Sequence, residues 1–125
     1  VRVRLMVPKY GDHRWMVVAG RGYYESLLES GVEIYEYHRG PLHSKTLTID
    51  GVWSFAGSPN FDTRSLLLNF EVGVVLYGPK PAAQLEEHFA DDLQQAERVE
   101  PAEFRRRSRL QKLSEQVLKL FSPVL

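Results

Sequence analysis

"HSKTLTIDGVWSFAGSPN", residues 43–60, reads as two short strands folded back on one another. His43 to Ile49 and Val52 to Ala56 are rich in Thr, Ile, Val, Trp and Phe, which suit a pleated surface, and Asp50-Gly51 between them is a strong signal for a two-residue hairpin turn. Strand side chains alternate, so His43 and Lys45 are expected on one face, about 7 Å apart. Gly57 closes the second strand. Ser58 followed by Pro59 predicts a helix running through Ser65, with the serine as cap and the proline at the first helical position, where its missing N–H costs nothing. An imidazole and an ammonium would then meet the start of a helix, whose free N–H groups favour an anion.

The flanking sequence alternates strands and helices. Val1, Val3, Leu5 and Val7 alternate with Arg2, Arg4 and Met6, predicting a strand that ends at Pro8. Asp12 can cap a helix carrying Trp15, Met16, Val18, Tyr23, Leu27 and Leu28, weakened at Gly20 and Gly22 and closed by Gly31. The strand predicted from Val32 to Tyr37 follows a crossover long enough to run parallel to the first, which makes a β-α-β unit. Downstream, "NFEVGVVLYG" is nearly all apolar after Glu71, as expected of a central strand covered on both faces. Leu85, Phe89, Leu93 and Ala96 recur at helical spacing after Pro79 and Pro81, and Pro101 divides that helix from a last one.

The chain has 125 residues, a length that predicts one compact unit, and its 16 basic and 16 acidic side chains cancel. No global field therefore argues for nucleic acid, and any attraction to an anionic surface must be local. The absence of cysteine excludes disulfides and thiolate metal sites. No apolar run approaches the eighteen or so residues that cross a bilayer. The chain opens directly in a strand without Met, which suggests a piece of a longer protein.

Taken singly, the polar residues of the hairpin have bland readings: a surface histidine, a solvated lysine, a cap, a turn residue. Their joint spacing is more informative. H-x-K, four residues, D, six residues, G-S-x-N, here His43, Lys45, Asp50, Gly57, Ser58 and Asn60, resembles the phospholipase D superfamily. The continuation "NFDTRSLLLNFE", Asn60 to Glu71, is similar to the second motif of bacterial cardiolipin synthases, and "AGRGYYESLLESGVEIYEY" upstream is also similar to that family.

The resemblance implies an α/β, phospholipase D-like fold, a mixed and mostly parallel sheet between helices. It implies a metal-free, cofactor-free phosphatidyl transfer through a phosphohistidine. One histidine attacks the lipid phosphodiester while a histidine from a second copy of the motif protonates the leaving alcohol. His43 is expected as the acid and then the base. Lys45 and Asn60 would bind phosphate oxygens with help from Ser58, and Glu71 would hold the other nitrogen of the His43 ring. Asp50 is expected as a buried structural partner in the turn, and Gly57 as a point of close backbone approach. His43, Asp50 and Glu71 could in principle bind a metal, but a lysine on the same strand face would repel the cation.

Only one H-x-K is present, since His13, His38 and His88 lack the lysine two residues on. The other half-site must come from an N-terminal half of the same protein or from a second copy as a homodimer. On this reading residues 1–98 are the catalytic half-domain. Residues 99–125 are expected as a C-terminal basic amphipathic helix, with Leu110, Leu113, Val117, Leu120 and Phe121 on one face. That helix either lies on an anionic membrane surface or packs on the domain or on the absent half, with its charges solvated. The substrate implied is phosphatidylglycerol, joined in pairs to cardiolipin at the bacterial cytoplasmic membrane, and nucleic acid is not an expected partner. The alternatives are a homodimeric one-motif phosphodiesterase or nuclease, and a non-catalytic module that keeps the motif as scaffold.

Overall fold

The computed structural model describes residues 1–11, 14–60, 62, 65 and 67–121. In chain order its elements are β1 (Arg4–Pro8), α1 (Arg14–Arg21), α2 (Tyr24–Glu29), β2 (Glu33–Tyr37), β3 (Thr46–Ile49), β4 (Trp53–Gly57), β5 (Gly73–Tyr77), α3 (Pro79–Leu93), β6 (Ala96–Arg98), α4 (Pro101–Arg105) and α5 (Arg109–Phe121). The single unit expected from length divides into two. One comprises Val1–Leu42 with Gln95–Leu125, the other His43–Gln94.

The first unit holds the β-α-β motif. β1 and β2 are parallel, with Leu5 opposite Ile34. The helix predicted between them is broken: Gly22 and Tyr23 donate to the Ala19 and Gly20 carbonyls at 3.1 and 3.0 Å, tightening the chain into a turn that separates α1 from α2. Gly31, at φ +85°, stops α2 in the left-handed conformation that glycine adopts freely. The cap assigned to Asp12 lies outside the described residues.

Ala96 belongs to a strand and not to the preceding helix. β6 pairs antiparallel with β2, Tyr35 opposite Arg98 and Tyr37 opposite Ala96. Three residues reading Ala-Glu-Arg carry no alternation, so pairing with β2 decides their conformation. The core is small: Tyr24, Ile34 and Phe104 are buried, with Val7, Leu27, Leu28, Val32 and Val99 packed on them, and the Tyr24 and Phe104 rings stack at 5.4 Å. Beside them Arg21 grips the buried Glu36 carboxylate by three hydrogen bonds of 2.8–2.9 Å, the paired geometry that makes a buried charge tolerable. Burial, followed by the Glu36 charge, pushes the Tyr24 hydroxyl well above the ordinary phenol range.

The last predicted helix is also two pieces, α4 and α5. Between them the Ser108 hydroxyl accepts the Gln111 N–H at 3.2 Å and starts the second helix. α5 packs against α1 at Gly22. A Cβ added to Gly22 would stand 2.9 Å from the Glu115 carbonyl oxygen, so only glycine lets the two backbones approach this closely.

The second unit is an antiparallel sheet in the order β3-β4-β5, with α3 packed against it. The α/β, phospholipase D-like class holds, but two features of the expected sheet do not. Strands fall into two three-stranded sheets instead of one, and β1 with β2 is the parallel pair while the other three pairs are antiparallel. The apolar strand expected to be central is the edge of its sheet, with Val74 58% and Tyr77 79% exposed. A continuous apolar pattern states that both faces want cover but not which chain supplies it.

Candidate active site

The hairpin turn forms as the sequence predicts, but its first strand begins at Thr46 instead of His43, so His43 and Lys45 precede the strand and do not share one of its faces, and the ends of the hairpin separate the motif residues. Asp50 and Gly51 take φ +52° and +65°, a tight turn with both central residues left-handed, which Asp tolerates and Gly prefers. Asp50 is therefore at the tip and exposed, not buried as expected. Four residues lie between it and Lys45, five steps of extended chain or about 16 Å, so the structure does not bring the two together.

At the open end the opposite is true. The Gly57 N–H donates to the Lys45 carbonyl at 3.0 Å, extending the ladder one step past Thr46. Gly57 also faces Gly73 on β5, where an added Cβ would meet the Val72 carbonyl oxygen at 2.7 Å and the Gly73 Cα at 2.8 Å. The close approach expected at Gly57 is thus real, and the Phe55 ring covers the glycine pair on one side.

That approach sets up a three-bond clasp. The Ser58 N–H donates to the Val72 carbonyl at 2.8 Å, the Val72 N–H donates to Ser58 Oγ at 2.9 Å, and the Ser58 hydroxyl donates to Glu71 Oε2 at 2.5 Å. A carboxylate only accepts, so the direction of the last bond is fixed. Ser58 is not a helix cap: residues 58–60 are not helical, and the helix predicted to run on through Ser65 falls partly on residues outside those described. Asp62 instead accepts the Ser65 N–H at 2.8 Å.

Glu71 is held below the ordinary carboxylate range, first by the Ser58 hydroxyl, then by hydrogen bonds from Ser65 and Asn69 and by the charge of Lys45. Serine and glutamate of the motif are therefore joined, and the charge of Lys45 reaches the carboxylate. The ring of His43 is not among the partners of Glu71. It is exposed, three residues before β3, and the Lys45 ammonium donates to the His43 carbonyl at 2.8 Å. Asn60 is exposed two residues beyond Ser58. Among the described residues no three His, Asp or Glu side chains cluster as metal ligands would.

Three residues escaped the sequence reading. Ser65 is buried, and with Asn69 it helps hold Glu71 below the ordinary carboxylate range; nothing in the spacing marks either of them. Ser54 on β4 is fully buried with no hydrogen-bond partner for its hydroxyl among the described residues, and nothing in the structure explains it.

The model of the cardiolipin synthase phospholipase D-like domain matches residues 1–93. The chain is 39% identical over its whole length to probable cardiolipin synthase YwiE of Bacillus subtilis and to cardiolipin synthase of Geobacillus kaustophilus, and 37% identical to that of Clostridium perfringens. It spans about a quarter of the length of these relatives: 25%, 25% and 26%. Among solved structures it is similar to Nuc of Salmonella typhimurium, a phospholipase D family member, with TM-score 0.65 and 27% identity over 79% of this chain and 64% of that one. A domain match over three quarters of the chain, agreeing in fold with an experimental structure, leads to one conclusion: the chain belongs to the cardiolipin synthase phospholipase D-like domain family.

Proposed function

We propose that this chain is one half-site of a phosphatidyltransferase that joins two phosphatidylglycerols into cardiolipin and releases glycerol. In the first step a histidine of the other half attacks the phosphorus of one lipid. The bond from phosphorus to the terminal glycerol breaks, and His43 gives the departing oxygen its proton. In the second step His43 takes a proton from the free glycerol hydroxyl of the second lipid. That oxygen attacks phosphorus, and the phosphorus–nitrogen bond breaks. Lys45 and Asn60 neutralise and orient the phosphate oxygens, and Glu71 accepts the far N–H of the His43 ring as the ring gains charge.

The observation that carries this reading is the convergence of Lys45, Ser58 and Glu71 at the open end of the hairpin, with Glu71 kept anionic. The other half-site comes from an N-terminal half or a second copy, and the enzyme works at the bacterial cytoplasmic membrane. Residues 1–98 serve as the catalytic half-domain and 99–125 as a basic tail. Asp50 holds the turn, at a distance from the phosphate.

The test is cardiolipin formation by the complete enzyme. His43→Asn is expected to lower it by about 10²–10⁴-fold, the usual contribution of a positioned acid–base. Unchanged turnover would reject the assignment. DNA cleavage without lipid transfer would instead select the phosphodiesterase reading.

A further inference from the structure

Helix α5 is packed with its polar side inward. In a helix that serves a core, the apolar stripe faces the domain. Here Glu115 is buried and paired with Arg107. Lys119 donates to the Gly22 carbonyl at 3.3 Å and stands 4.3 Å over the Tyr23 ring. Leu118 is half-buried beside them. Leu110, Leu113 and Val117 are 80%, 61% and 44% exposed. At about 100° per residue these three fall within about 60° of one another and almost opposite Glu115 and Lys119.

Charge accompanies the stripe. Arg106 and Arg109 are exposed, and neither is ion-paired among the described residues, whereas Arg105 stands 3.7 Å from Glu29. Arg109 projects about 40° from Leu113 around the helix. Among the described residues the stripe offers three aliphatic side chains, less than the roughly 800 Å² that a standard protein interface takes from each partner. An apolar stripe with arginines beside it matches a helix lying in the plane of an anionic bilayer.

We propose that Leu110, Leu113 and Val117, with Arg106 and Arg109, seat α5 in the headgroup layer of a membrane rich in anionic phospholipid. The idea rests on the phosphatidyl-transfer reading only for placing the enzyme at a bilayer, and vesicle binding can be measured without turnover. The complete enzyme is sedimented with vesicles of phosphatidylcholine and phosphatidylglycerol at three to one, and with phosphatidylcholine alone.

Substituting Leu110, Leu113 and Val117 together by Ser is expected to weaken partition onto the anionic vesicles at least tenfold. Arg106→Gln with Arg109→Gln is expected to weaken it about tenfold or more, at about fivefold per charge, and raised salt should reproduce that loss in the unaltered enzyme. Both variants should keep full turnover on phosphatidylglycerol dispersed in detergent, because these side chains are exposed and none of them belongs to the residues proposed to act on the phosphate. Unchanged partition by either variant overturns the proposal. So does a triple variant that loses turnover in detergent or changes its sedimenting mass, since another part of the protein or a second copy would then cover the stripe. Absence of any phosphatidyl transfer would reject the proposed activity and leave the vesicle result to decide this one.

Discussion

Ser58 has one hydroxyl proton, and Glu71 takes it. The family resemblance and a predicted helix start pointed to Ser58 as a phosphate ligand, but its partner is thirteen residues away and no local spacing reveals it. The two roles predict different kinetics. If Ser58 positions Glu71, then Ser58→Ala removes the first of the donors that keep the carboxylate anionic, and the pKa of Glu71 rises. Activity that needs ionised Glu71 is lost as pH falls through that pKa, so the acid limb of the kcat profile moves to higher pH, while Ser58→Thr restores most of it. If Ser58 binds phosphate, KM rises and the limb stays in place. Asp50 and Gly51 show what a residue can announce by itself: a left-handed turn depends on their own backbones, and the sequence located it.

Elements were legible where a local rule governs them and obscure where a neighbour decides. The β-α-β unit and the hairpin follow from periodicity and turn chemistry. The break between α1 and α2 was visible only as a weakness at two glycines, and the structure separates their meanings. A Cβ on Gly20 meets nothing within 4 Å, whereas one on Gly22 would be 2.9 Å from the Glu115 carbonyl. Gly20→Ala is therefore expected to stabilise by about 0.5–1 kcal/mol through helix propensity, and Gly22→Ala to destabilise by about 1–3 kcal/mol by forcing α5 off α1. Chemical unfolding of the two variants checks the opposite signs. A common sign would mean that the α1–α5 approach does not constrain the chain. β6 was missed because its three residues become a strand only by pairing with β2.

For the molecule as a whole, the sequence conveyed the family, while the division into two units was hidden because length and composition do not report how contacts partition. The exposed edge at β5 has a colloidal consequence. Its residues from Gly73 to Tyr77 are all solvent-facing, and the chain carries no net charge at pH 7, so nothing electrostatic keeps two copies apart. Produced as 125 residues alone, the polypeptide is expected to gather by strand-to-strand docking as concentration rises, most readily near its pI of about 7.1, and Val74→Lys should disperse it in light-scattering measurements. An insensitive scattering curve would mean that this bare ribbon is not the sticky seam, and that the segment can be cut from its parent without paying in solubility.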